Sequence, residues 1–379
     1  MRTLNKEQLG IIVQGATLLA SGGGGARSAG QSLVDNFPDD ATVQVASVEQ
    51  AAGLGGRAAV VAYIGAPDAM QTVRKPALAV RALKQLEAEI GEPITSIVPV
   101  EIGALSTMVA ATTAQLLGVP VVDGDGAGRA VPSLTMLTFN GVGLSADPTV
   151  LSNVDRSGGK KSPINVVLRV QTAAQAEALA RPIISVDGFN QHAGLALWAM
   201  TPDELRRAVT IRGTLQLAED VGRTLQSAED PVRAVIDLLE DNGRKAYVLF
   251  RGQLGTPTST TSGGFDSGQV PIHEGDDGPT ARTYNLNENL IAFSTAEDLP
   301  LAIGPDSICY MTSDGYSFSN ADLDEAAVKK RLKDAEIVLL GIRACEELRT
   351  QAPIVEAFTE QLTAMGYAGK YVPIETLRA

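Results

Sequence analysis

Two cysteines and two histidines among 379 residues leave little room for soft metal chemistry. With only Cys309 and Cys345, a disulfide framework is excluded, and so is a thiolate-rich zinc or iron–sulfur centre. His192 and His273 are the whole imidazole complement, so any bound divalent ion has to lean on carboxylates. No apolar run approaches the ~20 residues that span a bilayer. A formal net charge of −13 argues against non-specific attachment to nucleic acid or to an anionic membrane surface. The opening segment from Met1 to Glu7 carries an acid early and lacks the apolar core of a signal peptide, so a cytoplasmic protein is expected.

What is plentiful is glycine, at 38 residues, within a chain that is 44% hydrophobic but only 4% aromatic. That balance suits an Ala/Val/Leu/Gly-rich α/β enzyme better than a coiled coil or a disordered chain. The length predicts about two domains with real cores. Asn5 caps a predicted helix whose apolar positions run from Leu9 to Ala20. Strands are predicted at Thr42 to Ala46, Ala58 to Ile64, Ile97 to Val100 and Val119 to Val122, with helices at Val73 to Ile90 and Thr107 to Leu117. This alternation implies βαβ units and a mostly parallel sheet. After about residue 150 short strands dominate, at Asn165 to Val170, Ala246 to Phe250, Gln269 to Ile272, Ile308 to Met311 and Ile337 to Leu340. Helices at Pro202 to Ser227 and Pro231 to Asn242 interrupt them. The expectation is therefore an α/β domain over residues 1–160 and a β-rich, barrel-like domain with helical insertions over 161–379. Ser157 to Lys161 reads as an exposed turn, and Thr256 to Gly268 as a mobile loop over the site.

The most informative stretch is Val121-Val122-Asp123-Gly124-Asp125-Gly126-Ala127-Gly128-Arg129. It places two carboxylates, three glycines and an arginine at the carboxyl end of a strand, where ligands bind in open α/β sheets. Asp123 and Asp125 can share a cation or a proton, and Arg129 can balance them or clamp an anion. The competing reading is a turn stapled by an Asp–Arg pair. An EF-hand is excluded, because the fifth and twelfth positions from Asp123 hold Ala127 and Leu134. A neighbouring strand end delivers Glu101, so three carboxylates are expected on one edge, as a hard divalent ion or a general base requires. On that reading Asp125→Asn removes both metal and turnover. The run Gly22-Gly23-Gly24-Gly25 offers exposed N–H groups to an anion, or is simply a helix cap and turn. No Lys-Ser/Thr follows it, so it is no P-loop and no nucleotide is expected.

In the second half, Asn287-Glu288-Asn289 places a carboxyl between two amides suited to the alternating N–H and C=O edge of a ring. His192, in the polar turn Asn190 to Gly194, joins the candidate ligands, whereas His273 reads as an exposed loop histidine and Cys345 as an inert buried thiol.

The glycine run, Ile64-Gly65-Ala66-Pro67, Glu101-Ile102-Gly103, the Asp-Gly-Asp-Gly block, Asn287-Glu288-Asn289-Leu290 and Gly304-Pro305-Asp306-Ser307-Ile308 follow one another in the order of a known family. Over nearly its whole length the chain resembles the S-methyl-thiohydantoin desulfurase family, often encoded beside hydantoinase/oxoprolinase proteins. The resemblance implies an α/β domain followed by a barrel-like domain. It also implies hydrolysis of a five-membered hydantoin-like ring, with water replacing a thiol or opening the ring. It departs from the family pattern at Ala26, where an acid is usual, at Gly103-Ala104-Leu105-Ser106, where Gly-Gly-Asn-Ala is usual, and at Ala127, where methionine is common. These departures bear on the substrate more than on the reaction class.

The expected roles are Glu101, Asp123, Asp125 and Glu288 in catalysis. Arg129, Asn287, Asn289, Gly23, Gly24 and His192 are expected on the substrate, and Asp123 and Asp125 on a divalent metal ion. One cleft is expected to hold the N-terminal acids with Asn287 to Asn289 closing it. The alternative is a non-catalytic ligand-binding or partner subunit of a hydantoinase/oxoprolinase-type system; a nucleotide-dependent enzyme is the weakest reading. A small heterocyclic substrate and a homo-oligomeric assembly are expected, with no nucleic acid and no membrane as partners.

Overall fold

The computed structural model describes residues 1–65, 76–155, 162–262 and 265–379. The turn expected at Ser157 to Lys161 lies outside them, as do Ala66 and Pro67 and the expected start of the helix at Val73.

Among the described residues two large sheets and one two-stranded ladder organise the chain. In the first, eight strands run in the order Arg2–Leu4, Val43–Ala46, Val121–Val122, Ile94–Pro99, Arg57–Gly65, His192–Met200, Thr149–Asp155 and Ser162–Leu168. The βαβ strands from Val43 to Val122 pair in parallel, as their order predicted. The strands added after residue 148, and the short one at Arg2–Leu4, pair antiparallel. The sheet is therefore mixed rather than mostly parallel. It also continues to Met200, so a boundary at 160 would cut through it. The hairpin Thr149–Asp155/Ser162–Leu168 returns directly to the edge of Arg57–Gly65 through His192–Met200. That last strand opens on small residues, Ala193 and Gly194, which gave no strand signal.

The helices follow their caps. Asn5 Oδ1 accepts from Gln8 N, and the Gln8 side chain accepts from Asn5 N, closing a capping box on Lys6–Leu19. Ala104–Leu117 is stopped by Gly118 in the left-handed conformation. Both pack with Arg27–Asp35 and Ala77–Ile90 in one apolar core.

The single helix expected from Pro202 to Ser227 is two, Pro202–Ala208 and Thr214–Ser227. Between them Ile211–Arg212 pairs with Gly124–Asp125, pinning the Asp-Gly-Asp-Gly loop by a short ladder.

The second sheet is antiparallel throughout and has nine strands: Ala302–Ile303, Glu288–Ser294, Thr280–Leu286, Phe265–His273, Ala246–Leu254, Ile337–Ile342, Ser307–Thr312 and Ser317–Phe318, with Thr258–Ser262 alongside Phe265–His273. It curls until Glu288–Ser294 meets Ser307–Thr312. The meeting is made by side chains, Asn289 Nδ2 to the Ile308 carbonyl and Tyr310 OH to Asn289 Oδ1, and not by a strand ladder. No closed barrel forms among the described residues. The loop expected at Thr256 to Gly268 is a hairpin arm of this sheet. Among the described residues no helix is long and apolar enough to cross a membrane.

Candidate active site

The site begins where two turns abut. At the end of Ile94–Pro99 the chain passes through Glu101 into Gly103, and Ala104–Leu117 starts. The first amides of that helix, at Leu105 and Ser106, donate to the Gly24 carbonyl, joining the glycine run to the helix. From the other sheet, Thr280–Leu286 and Glu288–Ser294 are joined by Asn287 alone. This residue sits at φ 58°, a left-handed conformation that asparagine tolerates better than most side chains. Its backbone N–H donates to the Asp266 carbonyl and its Oδ1 accepts from Asp266 N. The hairpin so fixed drives Glu288 against the glycine run, where Gly24 N donates to Glu288 Oε1 at 3.3 Å.

Between these turns lies a cavity of about 370 Å³, within the range of small-molecule sites. Gly22 to Gly25, Glu101, Ser106, Asn285, Asn287, Glu288 and Asn320 line it, as do Tyr63 and Val131 to Leu134. The hairpin residues Thr258, Ser259, Thr261 and Asp266 form part of the wall, as do Glu177 and Arg181. Arg181 is ion-paired to Glu177 at 2.7 Å and lies over the Phe265 ring.

Two carboxyls are buried in this wall, Glu101 at 9% exposure and Glu288 at 5%. Glu101 accepts from Val131 N at 2.9 Å and meets the Ser106 hydroxyl at 3.1 Å. Burial, reinforced by the negative charge of Glu288, holds it well above the usual carboxyl range. Burial also pushes Glu288 up to about 7, against the pull of the Gly24 amide and the Arg129 charge. Among the described residues Glu288 Oε2 is buried without a hydrogen-bond partner. Desolvation of this kind stabilises the neutral acid in both groups, and shifts of that sort gather at functional sites.

Of the residues singled out in the sequence, Glu101, Glu288, Asn287, Gly23 and Gly24 meet at the cavity. Asp123, Asp125, Arg129, Asn289 and His192 do not line it. Asp123 Oδ1 accepts from Leu215 N and Gln216 N and so caps Thr214–Ser227. Asp125, fully buried and raised by burial to about 6, accepts from Ala127 N and Gly128 N within its own turn. The two aspartates thus serve different elements, Asp123 a helix start and Asp125 its own turn. Among the described residues no group of three His, Cys, Asp or Glu stands together to hold a metal ion. The donor set does not fit the divalent ion that the spacing suggested.

Arg129 is completely buried, and its guanidinium donates to four backbone carbonyls, those of Ala130, Asn289, Pro305 and Asp306. It is a brace behind the site, not an anion clamp. Asn289 is spent on Ile308, Tyr310 and Asn320. The His192 ring is partly exposed, with Nδ1 3.0 Å from the Asn190 carbonyl. His273 meets the Thr280 hydroxyl, and burial raises the Cys345 thiol, which disfavours a thiolate nucleophile. The sequence reading overlooked Ser106, Asn285, Asn320 and the Glu177–Arg181 pair. Glu177 and Arg181 stand four apart on one helix, a visible spacing, whereas nothing local marks Asn320.

Residues 7–193 match the family model described as S-Me-THD-like, N-terminal domain, and residues 171–374 match that of the S-Me-THD-like, C-terminal domain. The chain is also similar to a protein from Chromobacterium violaceum known from an X-ray crystal structure. The two are 32% identical, the match covers 99% of this chain and 100% of the other, and the TM-score is 0.85. No curated protein matches the chain.

Proposed function

As the chain belongs to the S-Me-THD-like family in both its N-terminal and C-terminal parts, we propose that it is a hydrolase acting on an S-methyl-thiohydantoin-like ring, with Glu288 and Glu101 as its proton-transfer pair. The observation that carries the reading is Glu288: a carboxyl buried in a cavity wall, held near neutral pKa, with one oxygen that has no partner among the described residues. A buried unpartnered carboxyl oxygen is costly to a fold and is expected at sites where a ligand supplies the missing partner.

The ionised form of Glu288 takes a proton from water as the water oxygen bonds to the ring carbon between the two nitrogens. The C=N electron pair moves to nitrogen, which is protonated by Glu101. In the second half, the C–S bond breaks, sulfur takes the proton from Glu288 and leaves as methanethiol. The remaining hydroxyl passes its proton to Glu101 as the new C=O forms. Both carboxyls return to their starting states, and the product is a hydantoin. General acid–base assistance of this kind contributes roughly 10²–10⁴ in rate. No nucleotide enters the scheme, and the carboxylates need no metal bridge.

Incubating the purified chain with a 2-methylthio-imidazolone and following methanethiol release tests the proposal. Catalytic release without added nucleotide is the expected result. Tight ligand binding with no release favours the partner-subunit reading instead.

A further inference from the structure

Asn320 carries a second buried oxygen without a partner among the described residues. Its Nδ2 donates to the Asn287 carbonyl at 2.8 Å and to Asn289 Oδ1 at 3.0 Å. The Asn287 carbonyl can only accept, so this amide cannot be flipped without placing two acceptors face to face. Asn289 is fixed likewise, because its own Nδ2 donates to the Ile308 carbonyl. The Asn320 backbone N–H donates to the Gly22 carbonyl, which locks the residue to the glycine run. What remains is Asn320 Oδ1, buried, unpartnered, and belonging to a residue of the cavity wall. Glu288 Oε2 is unpartnered in the same wall, on the residue that follows Asn287 and touches Gly24.

A cavity wall in which two residues, Asn320 and Glu288, each leave an oxygen without a partner among the described residues is incomplete until a ligand fills it. An asparagine carbonyl only accepts, whereas a carboxyl with a pKa near neutrality can donate or accept. We infer that Asn320 is a specificity-determining residue whose Oδ1 accepts a ring N–H while Glu288 engages the neighbouring ring atom, so that the site selects rings with a free N–H over N-alkylated ones. The inference takes the ring class from the proposed desulfurase reading and adds to it the edge by which the ring is held. Replacing the N–H by N–CH₃ leaves the buried acceptor unpaired and places a methyl group where it stood; sites built around such hydrogen bonds reject the analogue strongly.

The test is calorimetric binding of hydantoin, 1-methylhydantoin and 3-methylhydantoin to the wild-type chain and to Asn320→Leu. Expected is a loss of at least about tenfold for one N-methyl ring on the wild type, a cost in line with one buried hydrogen bond. Asn320→Leu is expected to weaken hydantoin about tenfold and to leave that N-methyl ring no weaker than before. Equal affinity of all three rings for the wild type overturns the inference without requiring any variant to fold. So does failure of the wild type to bind hydantoin, or an equal loss for every ring in Asn320→Leu. If the rings are discriminated as expected but no methanethiol is released from the methylthio substrate, the recognition role stands and only the desulfurase reading falls.

Discussion

Gly23 stands where a side chain would collide with Glu288: a Cβ built on it lies 2.1 Å from Glu288 Oε1 and 2.3 Å from its Cγ. Glycine is required here by close approach, because the backbone at Gly23 is not in the left-handed region. Gly23→Ala is therefore expected to displace the carboxyl while the fold survives. Turnover should drop by roughly 10²-fold, as small misplacements of a catalytic group do. Stability should fall by about 1–3 kcal/mol, the usual cost of overpacking. Rates and denaturant midpoints measured on the same preparation separate the two effects.

The pH dependence follows from the environment of the two carboxyls. Glu288 must be ionised to take a proton, and burial lifts it to about 7. kcat/KM should thus rise with pH through a midpoint near 7, well above an ordinary glutamate. Glu101 must be protonated and is held well above its ordinary range, so activity should fall again at higher pH. A profile flat from pH 5 to 8 would remove Glu288 from the base role.

Asp125 offers a stability test in the opposite sense to a salt-bridged carboxylate. Burial raises it from 3.8 to about 6, so the folded state holds a proton that the unfolded chain has released. Its contribution is full below 3.8 and is lost as pH rises through 6. Asp125→Asn removes that loss and keeps an oxygen for the Ala127 and Gly128 amides. It should be at least as stable as wild type at pH 7.5, by on the order of 1 kcal/mol. Turnover should stay within about threefold, the reverse of what a metal-binding role for Asp125 demands. Denaturant titrations at pH 4 and 7.5 provide the comparison.

Arg129 carries the largest expected stability cost. Truncation to Met leaves four buried carbonyls without their donor, and a loss of about 3 kcal/mol or more is expected. Since the brace holds the Asn289 carbonyl, one residue from Glu288, activity should fall with it. Asp123→Ala, by contrast, should cost only the roughly 0.5–2 kcal/mol of a helix cap and leave turnover unchanged.

The sequence made the βαβ region legible because buried strands and amphipathic helices alternate there at plain spacings. Asn5 marked a helix start that the structure retains. The strand His192–Met200 was hidden by small residues, and the break at Ile211–Arg212 by the helical propensities on either side of it. The Asp-Gly-Asp-Gly block attracted attention by composition, yet Asp125 holds amides of its own turn and Asp123 those of a helix start far along the chain; nothing in a linear sequence separates a carboxylate that caps from one that reacts. Glu101 and Glu288 were legible as polar residues at a strand end and beside an apolar strand. Their meeting was expected only from the preference of ligand sites for the join between two parts of a chain; nothing local signals it, since 187 positions of chain separate them in the sequence. Asn320 had no signal, because its role depends on the Asn287 carbonyl and the glycine run, both distant in the chain.

The most direct test of the central claim is methanethiol release by Glu288→Gln, measured beside its affinity for hydantoin. Glutamine keeps the size and a hydrogen-bonding oxygen but cannot take the proton. The account predicts a loss of at least ~10² in turnover with hydantoin affinity within a few-fold of wild type. A Glu288→Gln protein that releases methanethiol at the wild-type rate would contradict it.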